Sequence, residues 1–375
     1  MDCAIEKLPL TGKHTAYLKT DLHDDFLKRL ISRLHSLSKP WVIAFEDMKS
    51  LQDFGSLDSP QDLCLFPPFD LLPFEQVEGS IPTLKNRMKT LYRLGSFERF
   101  NGGILTTIPT LLQKIVDPRL LVTSSLTFKK GGYITGDGRP RYDRESVIQH
   151  LTESGYRRVY TVENLGEFSA RGFILDFFSL LDDFPTRIEF FDDEVSDVRF
   201  FDPQTQLSLP RGVDSTEGCQ RQEGERLIPP FRETFFKEEN LECFRNRIAD
   251  LKKRYPNSLF LGTLEQKPDR FPTLGGMLLP TQRALVNLLP KDTVFFYVRL
   301  SQALERFRAY EKELFDIYPQ AEYKEIYLKY LRVSESALLS RENVTVLTES
   351  RGPSVSLGDQ AALFADYTVS SDGLA

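Results

Sequence analysis

The sequence predicts an α/β domain built from two separate pieces of chain, with an antiparallel α+β domain inserted between them. Three observations favour this fold class. Amphipathic helices alternate with fully apolar strands before residue 118, strands rich in Val, Ile and Phe follow at roughly ten-residue spacing, and the alternation of strand and helix resumes near residue 293. The length of 375 residues is enough for two or three domains.

The first piece, residues 1–118, carries the pattern of a parallel sheet covered by helices. Apolar residues recur every four positions over 21–37, which predicts an amphipathic helix. The next stretch, 41–45, is continuously apolar, as is typical of a strand buried on both faces. The same alternation predicts strands at 63–66 and 104–107 and helices at 81–94 and 110–116.

The inserted α+β domain is expected over residues 119–208, where the pattern changes. A turn-rich stretch at 131–141 leads into a helix predicted over 144–154. The strands predicted after it are 156–162, 168–178, 186–191 and 195–201. Their close spacing indicates an antiparallel sheet, and the polar residues 209–226 after it are predicted to be a linker.

The second piece of the α/β domain is expected over residues 227–320. It contains helices predicted at 237–255 and 302–317 and an apolar strand predicted at 293–298. The tail, 321–375, begins with a helical pattern and is expected to lead to a following domain that these residues lack.

Composition and charge exclude several classes of function. The net charge of −6 provides no field to hold a polyanion, so nucleic-acid binding would need a local basic patch. No apolar run approaches the ~20 residues of a membrane helix, and no secretory signal is present, so we expect a cytoplasmic protein without membrane contact. The four cysteines are far apart and are expected to be reduced thiols, and no metal or cofactor is expected.

A degenerate phosphate loop is the one candidate for nucleotide chemistry. Gly12 and Lys13 match the end of the Walker A pattern, at the expected start of the first helix. The first glycine of that pattern is missing, and His14 stands where Ser or Thr belongs. No acidic run at the end of a later strand is placed to hold magnesium. We therefore expect no catalytic residues in this chain.

The densest group of charges lies between Gly155 and Gly172. Its members are Arg157, Arg158, Arg171, Glu163 and Glu167. One interpretation is a solvated sheet face on which opposite charges pair across strands. The other is a protein interface centred on arginines, whose rigid fork of donors is common at binding hot spots. Phosphate binding ranks third because the neighbouring carboxylates would repel it.

The remaining clusters have structural interpretations. The acidic runs Asp182 with Asp183, and Asp192 with Asp193 and Glu194, are predicted to be turn residues. Three pairs of adjacent phenylalanines are predicted to fill a core: Phe177 with Phe178, Phe190 with Phe191, and Phe200 with Phe201.

Four stretches of the chain resemble a known family. Residues 155–178 are GYRRVYTVENLGEFSARGFILDFF, and residues 185–209 are PTRIEFFDDEVSDVRFFDPQTQLSL. Upstream, residues 66–94 and 104–118 are FPPFDLLPFEQVEGSIPTLKNRMKTLYRL and ILTTIPTLLQKIVDP. In order and spacing they resemble the UvrB-homology module that begins bacterial transcription-repair coupling factors, the Mfd proteins. The resemblance extends over roughly residues 8–320.

This resemblance implies a degenerate helicase-like, P-loop-type parallel-sheet domain in two pieces. The inserted domain would dock on UvrA, the damage sensor of nucleotide excision repair. The parent protein would be an ATP-dependent DNA translocase that displaces stalled RNA polymerase, with its motor and its polymerase-binding domain outside these residues. The chain itself would be a non-catalytic adaptor and a monomer.

The resemblance also implies contact residues. Arg158 and Arg171 fall where the UvrB pattern places arginines that contact UvrA, and Arg157 and Phe173 are further candidates. Ser169 and Leu165 stand where that pattern has arginines. Two alternatives stay open. They are a UvrB-like damaged-DNA-binding ATPase, which requires nucleotide at Gly12 and Lys13, and a duplex DNA-binding module whose affinity falls steeply with salt.

Overall fold

The computed structural model of the chain describes residues 10–18, 24–37, 39–55, 63–96, 100–136, 138–210, 225–234, 238–277, 283–349 and 364–366. The chain forms two compact units, each assembled from separated segments. The first unit comprises Met1–Pro68, Arg99–Ile115 and Arg283–Ala375, and the second comprises Phe69–Glu98 and Val116–Gln282.

The strands, in chain order, are β1 (Lys13–Leu18), β2 (Trp41–Phe45), β3 (Leu63–Phe66), β4 (Gly103–Thr107), β5 (Lys114–Ile115), β6 (Leu126–Phe128), β7 (Ile134–Gly136), β8 (Arg139–Tyr142), β9 (Arg157–Arg158), β10 (Glu167–Arg171), β11 (Ile174–Phe177), β12 (Thr186–Phe191), β13 (Glu194–Phe200), β14 (Arg226–Ile228), β15 (Arg283–Ala284), β16 (Val294–Val298), β17 (Val344–Glu349) and β18 (Phe364–Asp366).

The α-helices are α1 (Asp24–His35), α2 (Met48–Gly55), α3 (Ile81–Ser96), α4 (Ile108–Leu111), α5 (Pro118–Thr123), α6 (Arg144–Glu153), α7 (Glu238–Arg254), α8 (Leu259–Gln266), α9 (Leu285–Leu288), α10 (Leu300–Ile317), α11 (Ala321–Ile326) and α12 (Ser336–Leu339). Two 3₁₀ turns follow α8, and a π-helical turn, Tyr327–Leu331, follows α11. Within the described residues, no helix has both the length and the apolar character needed to cross a membrane.

A seven-stranded sheet forms the centre of the first unit, with the spatial order β18-β1-β17-β16-β2-β4-β3. All neighbouring strands are parallel except β18, which runs antiparallel to β1. Phe295 of β16 lies opposite Val42 of β2, so the two distant pieces of chain share one sheet. The mixed α/β fold is therefore confirmed.

The core of the first unit forms because its central strands are apolar on both faces. Every residue of β2 and of β16 is buried. Leu30 and Leu34 of α1 belong to the same buried cluster as Trp41 of β2. Gly103 of β4 lies against the indole, where a Cβ would approach within 2.1 Å of the ring. Only glycine therefore fits beside this tryptophan without rearrangement.

The second unit carries a five-stranded sheet in the order β13-β12-β11-β10-β9 and a four-stranded sheet in the order β14-β6-β7-β8. Neighbouring strands of the larger sheet are antiparallel, except that β9 is parallel to β10. The antiparallel sheet that the sequence predicts after residue 155 is thus present, accompanied by α6, whose first turn is capped by Asp143.

A buried ion pair explains why residues near 230 lie in the second unit. The guanidinium of Arg87 on α3 is fully buried, and its Nη2 lies 3.0 Å from Oε2 of Glu233. The same guanidinium stacks on the ring of Phe69, 3.8 Å from its centroid. Because a buried charge is costly without its partner, this pair ties α3 to the segment around Glu233.

The two units divide the chain differently from the expected domains. Residues 69–98 and 227–282, expected in the α/β pieces, lie in the unit that contains the five-stranded sheet. Strand β17, within the expected tail, pairs between β1 and β16 in the central sheet. Most of the expected linker, 211–224, lies outside the described residues.

Three predicted elements require correction. The strand predicted over 168–178 is a hairpin, because Gly172 adopts a left-handed φ of 56° between β10 and β11. The strand predicted over 156–162 is only Arg157–Arg158, after which the chain leaves the sheet. The helix predicted over 110–116 ends at Leu111, and Pro118 starts α5 after the N-cap Asp117 rather than ending the pattern.

Asp182 lies in the connection between β11 and β12, where a turn is predicted, but its carboxyl is buried. Ser179 Oγ donates a 2.8 Å hydrogen bond to Asp182 Oδ2. Burial raises the pKa of Asp182 to about 6, against the opposing effects of the Ser179 hydroxyl and the charge of Arg226. This carboxyl is therefore a pH-dependent term in the stability of the second unit.

We predict that Asp182→Asn stabilises the protein at pH 8 but not at pH 4. Because the pKa in the folded state lies above the ordinary 3.8, the wild-type carboxyl favours folding below pH 4 and loses that contribution as the pH rises through about 6. The expected gain in the free energy of unfolding at pH 8 is about 2 kcal/mol, from urea denaturation. Asp183→Asn, a neighbouring and more exposed carboxylate paired with Lys85, is the control and should show no such gain. An equal effect of Asp182→Asn at both pH values would contradict the assignment.

Candidate functional site

The five-stranded sheet of the second unit has one apolar face and one polar face. Residues opposite one another on neighbouring strands share a face, and successive residues alternate. The apolar face carries the row Phe168, Phe177, Thr186 and Phe200, all buried. The polar face carries the adjacent row Ser169, Asp176, Arg187 and Arg199. Arg171 lies two residues beyond Ser169 on the same strand and therefore on the same face.

A shared carboxylate lies at the centre of the polar face. Asp176 is fully buried and accepts from two arginines: Arg171 Nη2 lies 3.0 Å from Oδ2, and Arg187 Nε lies 2.7 Å from Oδ1. Arg187 Nη2 also donates to Oδ2 at 2.9 Å, and the pKa of Arg187 is raised chiefly by this hydrogen bonding. Two cations share one anion, so one unit of positive charge is left unbalanced.

The charges on the outer part of the polar face, around β12 and β13, balance one another. Arg199 pairs with Glu189 and, at 3.2 Å, with Asp197, which also pairs with Lys130 at 2.8 Å. Two cations therefore meet two anions there. The unbalanced positive charge is concentrated on the side of Arg171, whose side chain is 37% exposed.

Arg157 lies on the polar face in the edge strand β9, opposite Glu167. Its Nη2 is 2.5 Å from Glu167 Oε1. Burial opposes ionisation of Glu167, but the backbone N–H groups of Glu163 and Asn164 and the Arg157 guanidinium outweigh it, so the pKa of this carboxyl lies below its ordinary value. Glu167 therefore remains an anion that holds both Arg157 and the loop before β10.

Arg158, the neighbouring residue of β9, is exposed and makes no side-chain hydrogen bond or ion pair with the residues that the structure describes. It pairs in register with Phe168, so it projects from the apolar side of the sheet, at its edge. The two arginines singled out together by sequence, Arg158 and Arg171, thus lie on opposite sides. Arg157 is the one that shares a face with Arg171.

Phe173 stands in the turn between β10 and β11 and is 68% exposed. Its carbonyl accepts a 2.8 Å hydrogen bond from the N–H of Phe190, which fixes the turn against β12. The prediction that the paired phenylalanines fill a core holds for five of the six, whereas Phe191 is exposed. Phe191 precedes the turn at Asp192 and Asp193, where its alternating position faces solvent.

The sequence predicts that Gly12 and Lys13 lie in a loop that opens a helix, but the structure does not place them in such a loop. Lys13 is the first residue of β1, a parallel strand, and thus lies at its amino end. Phosphate loops follow the carboxyl end of a strand and open a helix. The Gly12 amide donates to Asn343 Oδ1 at 3.2 Å, and its carbonyl accepts from Val344 N at 2.9 Å, so both backbone groups are already used within the sheet.

The carboxyl ends of the central strands, where α/β sheets place ligands, hold an ion-pair cluster in the first unit. Glu46 follows β2, and its Oε1 lies 3.1 Å from Arg299 Nη1 at the end of β16. Arg306 Nη1 lies 2.6 Å from Asp47. Across the described residues, no group of three His, Cys, Asp or Glu side chains is arranged to hold a metal ion.

Asp176 and Arg187 are not among the site residues predicted from the sequence, although the sequence carries a signal for them. In ILDF and TRIEFF each charged residue alternates with apolar residues, which indicates a strand with one polar face. The sequence does not reveal the strand register. That register places Asp176 of β11 between Arg171 of β10 and Arg187 of β12.

Comparison with known proteins finds a similarity between the region of this sheet and a described domain family. Residues 138–215 match the family model of the UvrB interaction domain. The transcription-repair-coupling factor of Haemophilus influenzae is 34% identical over 151 residues, 40% of this chain and 12% of that protein. Those of Escherichia coli and Myxococcus xanthus are 30% identical over 173 residues and 34% identical over 155 residues.

The resemblance to transcription-repair coupling factors is therefore confirmed. The aligned segments cover only 14% and 12% of the Escherichia coli and Myxococcus xanthus proteins, so the chain corresponds to a small part of these relatives. The polar face, from Arg157 to Arg199, lies wholly within the matched range 138–215.

We predict that Asp176→Asn destabilises the second unit by about 3 kcal/mol, because it removes the anion between two arginines, one of them largely buried. The measurement is the free energy of unfolding from urea denaturation. Asp193→Asn, which removes the partner of Arg141 at a more exposed site, is the control and should cost less than about 1 kcal/mol. Equal effects of the two variants would show that the shared carboxylate does not organise the sheet.

Proposed function

We propose that this chain is a non-catalytic adaptor module of a transcription-coupled DNA repair factor, and that it binds UvrA through the five-stranded sheet. The observation that carries the proposal is the coincidence of two features in one place. The range that matches the UvrB interaction domain contains the polar face, and that face has an unbalanced arginine charge. An acidic surface on UvrA would supply the missing anion.

Arg171 is the central contact in this proposal, because it is half-exposed and its carboxylate is shared with Arg187. Arg157 lies on the same face, Arg158 lies at the sheet edge, and Phe173 lies at the adjoining turn, so these residues would extend the contact. Arginine and aromatic side chains are the residue types most often found at binding hot spots.

The first unit would serve as a scaffold with a helicase-like, P-loop-type fold that has lost nucleotide chemistry. The backbone of Gly12, committed to Asn343 and Val344, supports this part of the proposal. A fold of this kind can persist without its reaction. The translocase motor and the RNA polymerase contact would belong to regions of the relatives outside the aligned segments. The module would act in the cytoplasm as a monomer.

We predict that Arg171→Gln weakens UvrA binding by at least about tenfold, measured by calorimetric titration of the whole chain. The fold should persist, because Arg187 keeps its bidentate contact with Asp176. Arg141→Gln is the matched control. Arg141 is 44% exposed, pairs with Asp193 and stacks on Tyr133, but it lies outside the polar face. The control should bind as wild type does.

Absence of saturable binding by the folded wild-type protein, well above micromolar concentration, would refute the adaptor proposal. Equal losses for Arg171→Gln and Arg141→Gln would refute the location of the interface on the polar face. Circular dichroism of each variant establishes that it is folded.

A further inference from the structure

Tyr160 is an exposed aromatic residue beside the unbalanced arginine. It lies in the loop 159–166 between β9 and β10, and 81% of its surface is accessible. Its ring is 5.4 Å from the guanidinium carbon of Arg171, within the range of a cation–π contact. A tyrosine this exposed is not placed by burial, so its position depends on the loop that carries it.

The loop is held in place at Tyr160 itself and at Val162, two residues further on. The Tyr160 carbonyl accepts a 2.8 Å hydrogen bond from Ser169 Oγ, beneath it on β10. Val162 is fully buried in a small cluster with Phe178 and Phe201. The loop therefore presents Tyr160 in a fixed position above the polar face.

The later part of the loop is held by Glu167, the first residue of β10. Its carboxylate accepts hydrogen bonds from the N–H groups of Glu163 and Asn164, at 2.9 and 2.8 Å. A side chain on such a fixed loop loses little conformational freedom on binding, which favours affinity. Tyrosine adds a large contact area and has only two side-chain torsions to restrain.

The chemistry of the site defines what it would bind. Arg171 needs an anion, since it shares Asp176 with Arg187. The ring of Tyr160 beside it offers a flat apolar surface. A segment that presents a carboxylate next to an apolar side chain matches both features, since the carboxylate pairs with Arg171 while its neighbour covers the ring.

We propose that Tyr160 is a binding anchor of the polar face, and that it seats an apolar side chain adjacent to the partner carboxylate bound by Arg171. This inference rests on the proposed function and extends it, because neither the sequence pattern nor the family match singles out Tyr160. It assigns the partner segment a paired chemistry, acidic and apolar, rather than acidic alone.

The test compares four proteins in calorimetric titrations with UvrA: wild type, Tyr160→Ala, Tyr160→Phe and Tyr133→Ala. We expect Tyr160→Ala to raise the dissociation constant by about tenfold. Tyr160→Phe keeps the ring and should stay within about threefold of wild type. Tyr133→Ala is the matched control, since Tyr133 is exposed and stacks on Arg141 outside the polar face, and it should bind as wild type does.

The outcomes separate this inference from the proposed function. If wild type binds UvrA and Tyr160→Ala binds with the same dissociation constant, Tyr160 is not an anchor. The adaptor proposal would still stand. Failure of the folded wild-type protein to bind refutes both. If Tyr160→Ala lowers the urea midpoint, Tyr160→Glu provides a second variant: its carboxylate would compete for Arg171, so binding should be lost, and retained binding would overturn the inference.

Discussion

The buried carboxylate of Asp176 organises the polar face of the five-stranded sheet. Because it accepts from Arg171 and Arg187 at once, it ties three adjacent strands together on the polar face of the sheet. The same sharing leaves Arg171 incompletely neutralised and half-exposed. One interaction thus both links the strands and leaves an arginine available for binding. The loop bearing Tyr160 lies directly beside it.

The first unit shows a different use of charge. Its central strands β2 and β16 are buried along their whole length, and beside the ends of these strands Glu46 and Asp47 meet Arg299 and Arg306. In sheets of this kind that edge is where ligands bind. Here the edge is occupied by ion pairs, and Gly12 lies at the opposite ends of the strands.

Much of the fold was predictable because apolar periodicity is strong in this chain. Strands β2, β3 and β12 have the predicted bounds, since continuous or alternating apolar runs leave little ambiguity. The hairpin at Gly172 was missed because apolar residues continue through the turn, and only its positive φ separates the strands. The place of Arg87 and Glu233 in one unit depends on a long-range pair that no local pattern reveals.

The candidate site was predictable as a region but not as a surface. The charge cluster and the family resemblance identify residues 155–172, yet which arginines share a face depends on strand register. Arg157 and Arg158 are adjacent in sequence and project to opposite sides of the sheet. Tyr160 has no periodic signal at all, because its exposure follows from a loop anchored by Ser169 and Glu167.

The most direct test of the central claim is hydrogen–deuterium exchange of the whole chain with and without UvrA. We expect UvrA to slow exchange in β9, in the loop that carries Tyr160 and in the turn between β10 and β11. The strands of the first unit should exchange equally in both states. Protection confined to the first unit, with no change across residues 157–176, would contradict binding of UvrA through the polar face.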